Sequence, residues 1–230
     1  MAFNGFSKKT LDFFDQLKKN NTKKWFEDNR SLFNHYVMAE SELFVLALGE
    51  RLREFAPDIN AIPKTDKSIF RIYRDVRFSK EKHPYKTHLA LLFWEGTRKK
   101  TECPGFYFHL EPNRLFLAAG LHIFPRDLLS IYRDAVIDKN QGAALEKTIA
   151  QIRSNKKYKL GWEKYKKVPR GYDADHPRSD LLRMGGLGFS FETTDLDALL
   201  SPKAVDFCYN IYKDFLPLHI WLRSIFQHAV

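Results

Sequence analysis

The sequence predicts an α+β fold: a central antiparallel sheet with helices packed on one face, flanked by long N-terminal and C-terminal helices. Three observations carry this. Apolar residues recur every three or four positions as far as Phe55 and again beyond Pro202, which is the helical period. Between Ser68 and Ile123 the period shortens to two, the period of a strand with one buried face. The turn sequence Glu111-Pro112-Asn113-Arg114 stands between two alternating runs, as a hairpin requires.

Ser7 is placed to cap a short first helix carrying Leu11, Phe14 and Leu17 on one face. Asn20-Asn21-Thr22 breaks it and caps a longer helix, with Trp25, Phe26, Phe33, Phe44, Leu48 and Leu52 on its stripe, ended at Pro57. Ser68 to Arg74 and His88 to Trp94 read as strands. In the hairpin that follows, pairing Glu111 with Arg114 puts Phe106, Phe108, Leu110, Leu115, Leu117 and Ala119 on the core face. Tyr107, His109, Phe116, Ala118, Gly120 and His122 then share the other. Pro125 opens a helix through Val136, and another runs from Gly142 to Arg153. Asn155 to Arg183 is polar and basic, and Gly188 to Glu192 reads as a short strand. Ser201-Pro202 begins the last helix, which Pro217 is expected to interrupt.

A chain of 230 residues fits a single domain spanning 1–230. Twenty phenylalanines and 44% hydrophobic residues exclude a disordered chain. The net charge of +10 favours acidic partners without choosing among them. Cys103 and Cys208 have no CxxC partner, which excludes a disulfide framework and a cysteine zinc site. The N-terminus has no apolar signal region and no run approaches a membrane span, so a soluble cytoplasmic protein without a membrane partner is expected. No cofactor motif is present. Met184-Gly185-Gly186-Leu187-Gly188 lacks the lysine and hydroxyl residue of a phosphate loop and reads as a bend.

The stretch from Arg71 to Lys86 has the composition of a site. Arg71, Arg74 and Arg77 can receive a phosphate or carboxylate, and Asp75 can orient a guanidinium by bidentate pairing. Lys82 and Tyr85 are expected at the rim, and Tyr107 joins from the polar face of the hairpin. His109 and His122, with Asp75, are the candidates for acid–base chemistry, imidazole titrating near neutrality. These histidines and Asp173, Asp175 and His176 contain no HExxH or HxH spacing, so no metal site is assigned and the last three read as a turn.

Two other readings stand beside a small anionic ligand. Tyr158, Trp162, Tyr165 and Tyr172 interleave with Lys156, Lys157, Lys159, Lys164, Lys166, Lys167 and Arg170, a pattern that suits single-stranded nucleic acid. Alternatively, the arginines form an internal ion-pair network in a structural or protein-interaction domain.

The pattern Arg71-x-x-Arg74-Asp75-x-Arg77-Phe78-x-Lys80-x-Lys82-x-Pro84-Tyr85 resembles the signature of domain-of-unknown-function family 2461, found in bacteria and fungi. Phe3-x-Gly5-Phe6, Asn20-Asn21 with Trp25-Phe26, Pro104-Gly105-Phe106-Tyr107, and Gly171-Tyr172-Asp173 with His176-Pro177 fit it too, so the likeness spans the chain. Glu81 departs from it, standing where the family has Asp or Asn. The resemblance implies one domain and no established activity.

Overall fold

The apolar stripe of the first third folds as a helical run with two irregularities. In this computed structural model, which describes residues 2–77, 81–163 and 165–226, α1 spans Lys8–Lys19 and α2 Lys23–Asp28. Thr22 caps α2 by accepting the Trp25 amide at 3.2 Å. Ser7 occupies the cap position of α1 but its hydroxyl makes no capping bond. Glu40 does that work instead, accepting from the Ser7 amide at 3.0 Å and the Thr10 hydroxyl at 2.7 Å. Asn29 breaks the expected second helix. A single turn, α3 (Arg30–Leu32), a π-helical stretch at Phe33–Met38 and α4 (Ala39–Leu52) continue it. Phe13, Phe26 and Phe33 close on one another across these pieces, so the apolar stripe is served although the hydrogen-bond ladder changes.

Five strands form one antiparallel sheet in the order β1-β2-β3-β5-β4. They are β1 (Leu89–Trp94), β2 (Gly105–Glu111), β3 (Arg114–Leu121), β4 (Tyr158–Glu163) and β5 (Met184–Thr193). Phe106, Phe108, Leu110, Leu115 and Leu117 are wholly buried, whereas Tyr107, His109 and Phe116 are half-buried, the alternation expected of the hairpin. Ser68 to Arg74 is not a regular strand. Its first half bonds to β1, Phe70 N to Ala90 O and Ser68 O to Leu92 N, while its second half bonds to residues 84–86. The segment changes partners at Arg71 and so never builds one ladder.

The chain gathers into two compact units, Met1–Phe93 with Tyr107–Leu117 and Glu192–Asn210, and Trp94–Phe106 with Ala118–Phe191 and Ile211–Val230. In the first, Phe6, Phe44 and Phe108 stack with ring centroids 5.0–5.7 Å apart, placing the N-terminal helices against the core face of the hairpin. The second adds α5 (Arg126–Ile137), α6 (Lys139–Arg153), the short α7 (Ser179–Leu182) and residues 211–226 of α8 (Ala204–Phe226). Pro125 caps α5 rather than entering it, and Asp138 caps α6 through the amides of Asn140 and Gln141.

Three expectations for this half change. β4 lies in what read as a polar loop. The Met184-Gly185-Gly186 run is strand, not bend: a Cβ at Gly186 would lie 2.0 Å from the His122 carbonyl oxygen, so glycine lets two backbones meet. Pro217 does not interrupt α8. A mid-helix proline costs about 3 kcal/mol, offset here by burial of Phe215, Leu218, Trp221 and Leu222 around it. Cys103 and Cys208 are buried free thiols, and among the described residues no helix is long and apolar enough to cross a membrane.

Candidate functional site

The half-buried face of β2 carries a chain of polar contacts. Residues two apart on a strand point the same way, so Tyr107, His109 and Glu111 form a row. Nε2–H of His109 donates to Glu111 Oε1 at 2.9 Å, and the Tyr107 hydroxyl donates to His109 Nδ1 at 3.1 Å. Each partner favours the same neutral tautomer. Arg114 extends the row, donating to Glu111 at 3.2 Å and to Glu192 at 2.8 Å. The ring of His88 stacks on His109 with centroids 4.0 Å apart.

Partial burial sets the protonation of this row. It pushes His88 down to about 4, with His109 and Lys86 adding to the effect. His109 also lies below its ordinary value, because burial outweighs the support of Glu111. Burial lifts Tyr107 to about 12, so the phenol keeps its proton. For Glu111, burial alone would raise the carboxyl, but the His109 and Arg114 donors outweigh it and hold it below the usual range. At neutral pH the row therefore offers two uncharged imidazoles, one phenol donor and one ionised carboxylate.

The basic stretch forms an irregular hairpin beside this row. Its root joins the row through aromatic contacts: Phe70 meets Tyr107 edge-on at 6.2 Å, and Lys86 Nζ lies 5.5 Å from the Phe70 ring centre. Lys86 also donates to the Arg71 carbonyl at 2.8 Å. Burial, then the nearby Arg71 charge, lowers the Lys86 ammonium from its ordinary value. Neither Arg71 nor Lys86 has a carboxylate in ion-pair contact among the described residues.

The hairpin's tip differs. Asp75 grips Arg77 with two bonds of 3.0 and 2.7 Å, and Arg77 in turn holds the Asp75 carboxyl down to about 2. Arg74 lies 3.5 Å from Glu81, and Lys82 donates to the Val76 carbonyl at 3.0 Å. Tyr85, expected at the rim, is buried. It stacks on Phe26 at 4.3 Å, and its backbone exchanges bonds of 2.9 and 3.0 Å with the Asn21 side chain. Phe78 and Lys80 of the motif, and Lys164 of the later basic segment, lie outside the described residues.

The remaining candidates have other surroundings. His122 is exposed, edge-on to Trp162 at 5.1 Å. Asp173 and His176 spend their polar atoms on their own turn, accepting the amides of Asp175 and Arg178. Among the described residues no group of three His, Cys, Asp or Glu is placed to hold a metal ion. In the basic aromatic segment, Tyr158 donates to Asp214 at 2.5 Å and Tyr172 to Asp134 at 2.9 Å. Arg133 lies over the Tyr165 ring at 5.1 Å.

Sequence reasoning missed His88, Glu111, Lys86, Arg114 and Glu192. Glu111 shares strand parity with Tyr107 and His109, which is a readable signal. His88 and Glu192 carry none, since only the sheet brings them alongside. A family model described as Conserved hypothetical protein (DUF2461) matches residues 9–221. No curated protein matches the chain.

Proposed function

The chain belongs to the DUF2461 family, whose description names no activity, and from its geometry we propose that it recognises a small phosphate- or carboxylate-bearing ligand at the root of the basic hairpin. One observation carries the reading: the half-buried Lys86 ammonium donates to the Arg71 carbonyl at 2.8 Å beside the opposing Arg71 charge, and neither cation is in ion-pair contact with a carboxylate among the described residues, Asp66 acting on Lys86 only from beyond that range. An anion between them relieves that repulsion and replaces water lost at a half-buried amine. Tyr107 and His109 line this position with their own polar atoms engaged, the Tyr107 hydroxyl on His109 Nδ1 and His109 Nε2–H on Glu111, so charge recognition falls to Arg71 and Lys86. Arg74, Asp75, Arg77 and Lys82 then serve to shape the hairpin, and Tyr85 anchors it to α2.

A thermal-shift titration with inorganic phosphate, pyrophosphate and citrate tests this. At a hundred times its dissociation constant, a ligand of the folded state raises the midpoint by about 5–10 °C for a chain of this size. The shift should vanish in Arg71→Ala and Lys86→Met. A full shift in both variants sinks the proposal, as does no shift with any anion. The nucleic-acid alternative predicts instead binding of oligothymidylate that falls steeply with salt and depends on Lys166 and Lys167.

A further inference from the structure

The second unit contains a cavity of about 650 Å³, within the range of roughly 300–1,000 Å³ typical of small-molecule sites. Ile149 of α6, Leu160 of β4 and Met184 of β5 give it apolar walls. Trp162 is held there by an unusual backbone. Its φ of 83° is left-handed, a conformation that bulky residues rarely adopt. The strand register slips between Gly161 and Glu163, with Trp162 the residue between them. Gly188 makes room for the displaced ring, since a Cβ there would lie 1.9 Å from the indole. A strained backbone at the edge of a cavity is the kind of feature that function preserves.

The polar groups of the cavity divide into spent and unspent. Arg178 donates to Glu146 at 2.8 Å and to the Val136 carbonyl at 3.1 Å, and Arg183 donates to Asp180 at 2.8 Å. Arg153, in the last turn of α6, is exposed and has no carboxylate in contact among the described residues. We infer that this cavity binds a small amphipathic monoanion, its flat apolar body against Ile149, Leu160 and Met184 and its carboxylate, sulfonate or phosphate on Arg153. The site is separate from the one proposed for the first unit.

The test is a fluorescence titration with 1-anilinonaphthalene-8-sulfonate, an aromatic body with one anionic group, on the full chain. The expected result is saturable binding weakened about tenfold or more in Arg153→Ala, the loss of one charged hydrogen bond. Ala150→Trp should abolish it, because Ala150 is an exposed α6 residue on the cavity lining and the added ring fills that space. Arg71→Ala should bind the probe as the parent does, which separates this result from the fate of the first site. Equal affinity in all variants overturns the inference, as does displacement of the probe by oligothymidylate but not by small aromatic acids. Should Ala150→Trp fail to fold by circular dichroism, Arg153→Ala, a change to an exposed helix side chain, still decides the matter.

Discussion

Two clusters in this protein use the same three residue types. In the first unit Glu111 accepts from His109 at 2.9 Å and Arg114 at 3.2 Å; in the second Glu95 accepts from His219 at 2.6 Å and Arg223 at 2.9 Å. Their surroundings differ. The Glu111 and His109 side chains are 30% and 15% exposed, against 5% and 2% for Glu95 and His219. His109 Nδ1 receives the Tyr107 hydroxyl, whereas His219 Nδ1 is buried with no hydrogen-bond partner among the described residues and its ring packs on Phe106 at 4.6 Å. The two arginines are alike, 37% exposed for Arg114 and 35% for Arg223, so the difference lies in the Glu–His pairs: the sealed pair has the character of a structural element, its Glu95 carboxylate buried. The open one can exchange partners, which is what a ligand site needs.

The largest expected effect breaks the sealed cluster. Removing one partner of a buried ion pair costs about 3–5 kcal/mol, so Glu95→Ala should lower the urea midpoint sharply. Glu111→Ala should cost about 1 kcal/mol or less, as partly exposed pairs do. Equal losses would show that burial does not distinguish them.

Acid titration sharpens the contrast next. Burial raises the Glu95 carboxyl, but His219 and Arg223 outweigh it and its folded value lies below the ordinary one. Its stabilisation is therefore complete above the unfolded carboxylate value and is lost as pH falls through the folded one. His88 acts higher on the pH scale. Its folded value of about 4 lies below the ordinary 6.5, so the unfolded chain binds the extra proton and stability declines as pH falls from 6.5 towards 4. Replacing His88 by Phe should flatten that slope and leave the Glu95 step in place. An unchanged slope would mean His88 is not held neutral.

A smaller effect is expected from Tyr107→Phe, about 1 kcal/mol. It removes the donor that favours neutral His109, so the His109 resonance should titrate at higher pH in NMR. An unmoved titration would break the row at its first link. The smallest effect belongs to the hairpin tip: Asp75→Asn should leave the urea midpoint unchanged, since the Asp75–Arg77 pair lies at the surface. A clear loss there would make the tip structural.

The order in this chain that depends on neighbours along the sequence was legible beforehand. The helical stripe around Phe26 and Phe44, the hairpin register at Glu111 and Arg114 and the α+β class all follow from periodicity, because a period fixes which side chains share a face. That Asp75 would grip a neighbouring guanidinium was legible from adjacency, but that Arg77 rather than Arg71 or Arg74 takes the bidentate bond was not. Tertiary structure alone decided the rest. Ser68 to Arg74 has a strand's alternation, but its partner changes midway, and pairing is a property of two segments. Pro217 stays helical because the core around it outweighs a local cost. His88, Glu192, Glu95 and His219 gained their roles from residues between 21 and 124 positions away, distances over which local spacing carries no information and only folding brings groups into contact.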